Sequence, residues 1–238
     1  MGKIILITGA NKGIGYEVAK QLSAAGHTVL VGARHAEAGE KAAASLGGSA
    51  QFVKLDVLDK ATHEAAAKMI GERFGKLDVL INNAAIAHPE DGSAAEISLS
   101  TVETTFATNF FGVIAVTQAM LPMLRKSEAA QVLNVSSELG SVSLHADPAW
   151  PYYQVRFMAY CTSKAALNMF TVLLAAELAE AGIKVNVVNP GYTATDLNGN
   201  RGFQTVEQGA VEIVRLAQMG ADAPTCGYTE AVNKPIAW

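Results

Sequence analysis

The chain reads as an α/β protein built on a single doubly wound parallel sheet with helices on both faces. Three observations predict it. Short β-branched runs alternate with longer helical stretches along the 238 residues. Several of those runs are apolar throughout rather than alternating, as in strands covered on both faces. The first run enters its helix through Ile7-Thr8-Gly9-Ala10-Asn11-Lys12-Gly13-Ile14-Gly15, which packs three glycines into nine positions.

The elements follow in order. A strand at Ile4–Thr8 leads through that turn to a helix at Ile14–Ala25, which Gly26 ends. Thr28–Ala33 is the second strand and Glu37–Leu46 the second helix. Gln51–Leu55 and Lys60–Phe74 make the third pair, and Leu77–Asn82 and Leu99–Arg125 the fourth. Gln131–Ser136 is the fifth strand. A long helical stretch then ends near Ala181, before Gly182. Lys184–Asn189 is the sixth strand, and Val206–Met219 the last helix. Helices between parallel strands imply right-handed crossovers. No linker, repeat or low-complexity segment interrupts the pattern, so residues 1–238 are expected to form one domain.

Composition narrows the function. Half the residues are hydrophobic and 17% are charged, enough to bury a sizeable core. The net charge is −4, with no basic block and no aromatic-basic interleaving, so nucleic acid is not expected as a partner. Cys161 and Cys226 are too few for a disulfide framework, which favours a reducing compartment. No apolar run stands out as long enough to span a bilayer, and the apolar part of MGKIILITGA is too short for a signal peptide. Leu6 stands where a myristoylation motif needs Ser or Thr. A soluble cytoplasmic protein without membrane attachment is the expectation.

At a strand-to-helix turn, Gly9 permits the tight bend. Gly13 leaves room for a phosphate to approach the backbone, and Gly15 lets the helix pack closely on the strand. The free N–H groups and positive dipole of the helix end suit a pyrophosphate. A bare glycine motif is a weak signal. At the end of the second strand, Val31-Gly32-Ala33-Arg34 carries no acid to bind a ribose 2′-hydroxyl. Arg34 offers a planar fork to a 2′-phosphate, and Lys12 can reach the same region. NADP(H) rather than NAD(H) is therefore expected.

Tyr160 and Lys164 stand at i and i+4, on one helix face. A phenol ionises near pH 10, and a nearby ammonium lowers that value. Tyr152 and Arg156 repeat the spacing, but arginine is a poor substitute for the lysine, and the Ser-Lys-Ala-Ala context of Ser163–Ala166 is missing there.

The spacing Thr8-Gly9-x-x-x-Gly13-x-Gly15, with Tyr160-x-x-x-Lys164, resembles the short-chain dehydrogenase/reductase family. The resemblance spans Thr8 to about Thr195 and implies a Rossmann fold. It implies a dinucleotide shell of Gly9, Asn11, Lys12, Gly13, Ile14, Gly15 and Arg34, with Asp56 and Val57 at the adenine. Asn83 and Ala84 match the family's N-N-A-G segment, in which Ala85 here replaces the glycine. Pro190, Gly191, Thr193 and Thr195 correspond to the segment at the nicotinamide and diphosphate. The resemblance also implies a catalytic set. Tyr160 is the acid/base, and Lys164 holds the ribose and lowers the phenol's pKa. Ser137, three residues before Gly140, holds the substrate oxygen in preference to Ser136. Asn109 supports a water near the lysine. No metal is expected.

The resemblance is to the carbonyl-reductase branch, and so to hydride transfer between NADP(H) and a small carbonyl/alcohol pair. A 3-oxoacyl thioester reductase, or a non-catalytic dinucleotide-binding regulator of the same fold, remains an alternative. The segment between Ser137 and Tyr160 is longer than in common members. Its Trp150, Pro151, Tyr152, Tyr153 and Phe157, within Leu144–Phe157, suggest an aromatic wall over a bulky substrate, or else a loop packed on its own chain or a neighbour. Ala165–Ala181 is apolar on nearly all sides, which predicts a homodimer or homotetramer through that helix. Pro235–Trp238 could pack at that interface or near a neighbour's pocket.

Overall fold

The computed structural model describes residues 2–238. Eight strands form its sheet: β1 (Ile4–Thr8), β2 (Thr28–Ala33), β3 (Gln51–Lys54), β4 (Val79–Asn82), β5 (Gln131–Val135), β6 (Lys184–Asn189), β7 (Tyr228–Glu230) and β8 (Lys234–Pro235). Their spatial order is β3-β2-β1-β4-β5-β6-β7-β8. Strands β1 to β7 run parallel. The order reverses between β1 and β4, and a crevice opens at the carboxyl ends of strands at such a point.

Several strands are largely apolar because both faces of the sheet are covered. Ile5, Ile7, Val29 and Val31 point to one side, against Val18, Leu22 and Ile213. These come from α1 (Gly13–Ala24) and α8 (Val206–Gln218), and α2 (Ala36–Leu46) joins the same layer. Leu6, Leu30 and Leu80 point to the other side, against Ile70, Met120, Leu124 and Leu174. That layer holds α3 (Lys60–Phe74), α4 (Leu99–Phe106), α5 (Gly112–Leu124) and α7 (Met158–Glu177). Local chemistry sets several helix starts. Asp59 caps α3, Ser98 caps α4, and Thr205 and Gln208 form a reciprocal capping box on α8.

The structure departs from the sequence reading in four places. The expected helix at Leu99–Arg125 is α4 and α5 joined by one π-helical segment, Ala107–Phe111. The whole stretch Leu99–Leu124 is long and apolar enough to cross a membrane by length and composition, contrary to the sequence reading, and half of it is buried inside the fold. The sheet gains β7 and β8, too short to register as periodic runs, and β8 lies antiparallel to β7. A short helix α6 (Val142–His145) appears in the extended segment, and the backbone of Trp238 bonds to it: Ser143 N–H donates to the Trp238 carbonyl at 3.1 Å. The final residues therefore pack on their own chain.

A buried polar ladder ties the layers together beneath the crevice. Asn82 Nδ2 donates to Thr117 Oγ1 at 3.0 Å and to Asn134 Oδ1 at 2.8 Å. Asn134 Nδ2 donates to Thr171 Oγ1 at 2.9 Å. One chain of bonds thus links α5, β4, β5 and α7, and its directionality fixes how α7 sits on the sheet.

Candidate active site

The glycine turn sits at the reversal between β1 and β4. Thr8 Oγ1 accepts the N–H groups of both Asn83 and Ala84, each at 3.0 Å. Asn83 Nδ2 in turn donates to the carbonyls of Thr8 and Gly9, at 3.0 and 3.2 Å. These bonds clamp the segment after β4 onto the turn, and they add a second reason for the third glycine. A Cβ at Gly15 would overlap the Asn83 amide nitrogen and lie 2.7 Å from the Gly9 carbonyl oxygen. Gly15 thus makes room both for the Asn83 amide and for the close approach of α1 to the end of β1. Gly9 and Gly13 have φ of +65° and +59°, the region that glycine favours. Lys12 is the N-cap of α1 but supplies no side-chain cap, and no acid occupies the first turn. The helix end keeps its donors and positive dipole for an anion. Asn11 and Ile14 are half-buried beside it.

Arg34 is exposed at the end of β2 and makes no ion pair among the described residues. Lys54, at the end of β3, donates to the Arg34 carbonyl. It is a third cation at this corner, which the sequence reading missed because it placed Lys54 inside the third strand without a role. Lys12 is engaged elsewhere: its Nζ lies 2.7 Å from Asp196 Oδ2, with both side chains 65% exposed. It serves a phosphate only by sharing or leaving that carboxylate. Asp56 spends one oxygen in a turn, accepting Leu58 N–H at 3.0 Å, and the Val57 carbonyl packs close to Gly112 of α5.

Beyond β6, the segment from Pro190 folds over the glycine turn. Thr195 is the side chain nearest Gly13. Gly191 has φ of +74°. Thr193 is buried and turns its hydroxyl onto the carbonyls of Pro190 and Gly191, so it shapes the loop rather than facing the crevice.

Tyr160 and Lys164 lie on one face of α7, with the Lys164 Nζ 5.7 Å from the Tyr160 ring centroid. Lys164 is 2% exposed, and its ammonium donates to the Val135 carbonyl at 2.9 Å. Burial lowers its pKa to about 8. The expectation that the lysine brings the phenol down is not met by the chain's own groups. Burial pushes Tyr160 up to about 12, and the Ser137 hydroxyl offsets only part of that rise.

Ser137 caps the 3-10 turn Glu138–Gly140, with its oxygen accepting Leu139 N–H at 3.2 Å, which leaves its hydrogen to donate toward the Tyr160 oxygen. Ser136 is buried and donates to Asn168 Oδ1 at 2.7 Å, which leaves Ser137 as the serine beside the phenol. Asn109 is fully buried in the π-helical segment. Its amide bonds both the N–H and the carbonyl of Ile86, at 2.8 and 2.9 Å, and Ser163 Oγ at 3.1 Å. With both amide hydrogens used, it positions the β4 segment against α7. Two further groups escaped the sequence reading. Tyr228 donates to the Ser137 carbonyl at 2.5 Å, and the Asp91 carboxylate accepts from the first turn of α7. Neither lies in a recognisable motif.

The aromatic extension packs mainly on its own chain. Trp150 is buried edge-on against His145 and Tyr152, with ring centroids 4.8 and 5.5 Å apart. Arg156 covers Tyr153. Pro151 and Phe157 stay exposed. Tyr192 and Phe203, which meet edge-on at 5.8 Å on the loop after β6, add an exposed aromatic pair.

A parallel sheet that reverses beside a glycine-lined helix end, with a half-buried tyrosine and a buried lysine facing it, defines a dinucleotide-binding oxidoreductase. Within that class the chain belongs to the short-chain dehydrogenase family, whose model matches residues 3–205. It is 36% identical over 227 residues to short-chain dehydrogenase anuI of Penicillium roqueforti, covering 92% of this chain and 89% of that protein. It is 30% identical over 289 residues to salutaridine reductase of Papaver bracteatum, covering 92% and 91%. The NADPH-bound carbonyl reductase from chicken fatty liver superposes with a TM-score of 0.87 at 28% identity, covering 100% of this chain and 99% of that one.

The clamp between Asn83 and the turn makes a specific prediction. Gly15→Ala forces Asn83 and Gly9 apart, at a cost of about 1–3 kcal/mol as for overpacking of a close-packed site. Chemical denaturation should show that loss, together with weaker dinucleotide binding in a fluorescence titration. Unchanged stability and binding would contradict the clamp.

Proposed function

We propose that the protein reduces a ketone or aldehyde to its alcohol with NADPH. One observation carries the reading: a phenol held in its acid form stands within hydrogen-bond reach of the Ser137 hydroxyl, one helical turn from a buried ammonium. A carbonyl needs a proton donor as it is reduced, and a phenol with a pKa of about 12 keeps its proton at neutral pH.

The residues fit a dinucleotide. The uncapped end of α1, Gly9 and Gly13 suit the diphosphate, and Thr195 adjoins them. Arg34, with Lys54 beside it and no acid at the end of β2, suits a 2′-phosphate. That the similar chicken enzyme is NADPH-bound supports the same choice. When bound, the reduced nicotinamide supplies the hydride for the carbonyl carbon. Ser137 donates to the substrate oxygen and stabilises its developing charge. Tyr160 delivers the proton that completes the alcohol. Lys164, steadied by Val135, keeps two further N–H groups for the ribose hydroxyls. The exposed aromatic rings of Tyr192 and Phe203 favour an apolar substrate.

Tyr160→Phe removes the acid and keeps the ring. Turnover of a ketone panel, followed at 340 nm, should fall by about 10²- to 10⁴-fold while NADPH binding persists. In the unmodified enzyme, kcat/KM for reduction should hold below neutrality. It should then decline as pH rises through about 8, where Lys164 loses its proton, well before the phenol titrates. Full activity in the variant, or a flat profile through that range, would reject the mechanism.

Arg34→Asp places a carboxylate where the 2′-phosphate would sit. The NADPH-over-NADH ratio in kcat/KM should drop by about 10- to 100-fold, the worth of a charged hydrogen bond. An unchanged ratio would contradict the cofactor assignment.

A second copy of the chain is the proposed partner, forming a dimer or tetramer. Met169 and Leu173 of α7 are 59% and 56% exposed, and Phe111 is 59% exposed. Apolar side chains of this size on neighbouring helices call for cover. Light scattering at micromolar concentration should report at least two chains; a single-chain mass would contradict it.

A further inference from the structure

Helix α7 carries both Tyr160 and Lys164, yet its own flanking sequence does not cap it: Phe157 stands at the N-cap and offers no side-chain acceptor. Three N–H groups of the first turn are instead satisfied by two residues far back in the chain. Met158 N–H donates to the Gly92 carbonyl at 3.0 Å. Ala159 N–H donates to Asp91 Oδ1 at 2.9 Å, and Tyr160 N–H to Asp91 Oδ2 at 2.8 Å. Only at Cys161, whose N–H donates to the Phe157 carbonyl at 2.8 Å, does the helix's own ladder begin. One carboxylate thus holds two successive amides as a fork, and one of them belongs to the tyrosine.

A single capping bond lets a helix end pivot, whereas two bonds from one rigid plane fix its rotation and height. The charge also complements the positive end of the helix dipole. The segment that supplies Asp91 is anchored at two further points. Asn83 and Ala84 are bonded to Thr8, and Ile86 is bonded through both backbone groups to Asn109. Residues 83–92 therefore run from the glycine turn to the backbone of Tyr160.

We infer that Asp91 is a positioning residue for the reaction: by forking onto the amides of Ala159 and Tyr160 it fixes the phenol's place opposite Ser137 and ties that place to the dinucleotide turn. The inference rests on the reductase reading of the site. It acts through Tyr160 and touches no reacting atom, so its removal lowers kcat and leaves NADPH binding alone.

The test compares Asp91→Ala and Asp91→Asn with the unmodified enzyme on the same ketone panel, measuring kcat, both KM values, NADPH affinity by fluorescence and thermal stability. Asp91→Ala should lose about 10- to 100-fold in kcat, the scale of a misplaced catalytic group, with NADPH affinity within about twofold. Asp91→Asn keeps one acceptor oxygen and should recover part of the loss; if the alanine variant does not fold, the asparagine variant still shows lowered kcat with intact NADPH affinity. Asp91→Ala with unchanged kcat overturns the inference and leaves the reductase reading standing. So does a parallel fall in kcat, NADPH affinity and stability in both variants, which marks a purely structural cap. An unmodified enzyme that reduces no carbonyl overturns the reductase reading and this inference with it.

Discussion

The placement of α7 on the end of β5 is the constraint on which the site depends, and the buried bond from the Lys164 ammonium to the Val135 carbonyl expresses it. An ammonium that is 2% exposed is unfavourable without partners, and burial here already lowers its pKa to about 8. The sheet supplies one partner. Gly140 supplies the room: a Cβ there would lie 2.8 Å from the Lys164 backbone. The glycine three residues after Ser137 therefore lets the turn that carries the serine lie directly against the helix that carries the tyrosine.

Everything around that bond works to hold the helix in one register. The Asn82-Asn134-Thr171 ladder ties the middle of α7 to two central strands. Asn168 bonds Ser136 on one side and the Gly140 carbonyl on the other. Asn109 reaches Ser163 from the π-helical segment. Hydrogen bonds are directional where apolar packing is not, so a helix held by polar side chains along its length resists the small rotations that core packing tolerates. The π-helical segment has a place in this scheme. Its extra residue turns the Asn109 amide inward, where a regular helix would carry the following residues at a different angle.

The sequence made most of this legible where the signal was periodic or where a motif had a chemical reason. Strands β1, β2 and β6 have the expected bounds because short runs rich in β-branched residues define them. Tyr160, Lys164 and Ser137 converge because strand ends and helix faces converge in this topology. The parts that were not legible depend on long-range partners. Asp91 caps a helix 67 residues away in sequence from where its own segment would suggest any role, as its bonds to Ala159 and Tyr160 show only in three dimensions. Gly15 answers to the Asn83 amide, Lys12 to Asp196, and Trp150 to His145, and nothing local in the chain announces any of these pairs. Strands β7 and β8 are too short to show a period at all.

The phenol's pKa shows why pairing in sequence does not fix electrostatics. At i and i+4 the ammonium was expected to favour the phenolate. In the fold the ammonium is directed to Val135, 5.7 Å from the ring centroid, and burial dominates, raising Tyr160 to about 12. The two opposing effects scale differently: desolvation grows with every apolar neighbour, while attraction to one cation depends on where its hydrogen atoms point. A site tuned in this way holds a proton firmly at neutral pH. Such a group is an acid toward an oxygen that becomes more basic and the base in the reverse direction, so its pKa sets which protonation state is populated and not the direction of the reaction. The protonation state of the phenol thus comes from its burial, a property of the fold, and the lysine modulates it only through its orientation.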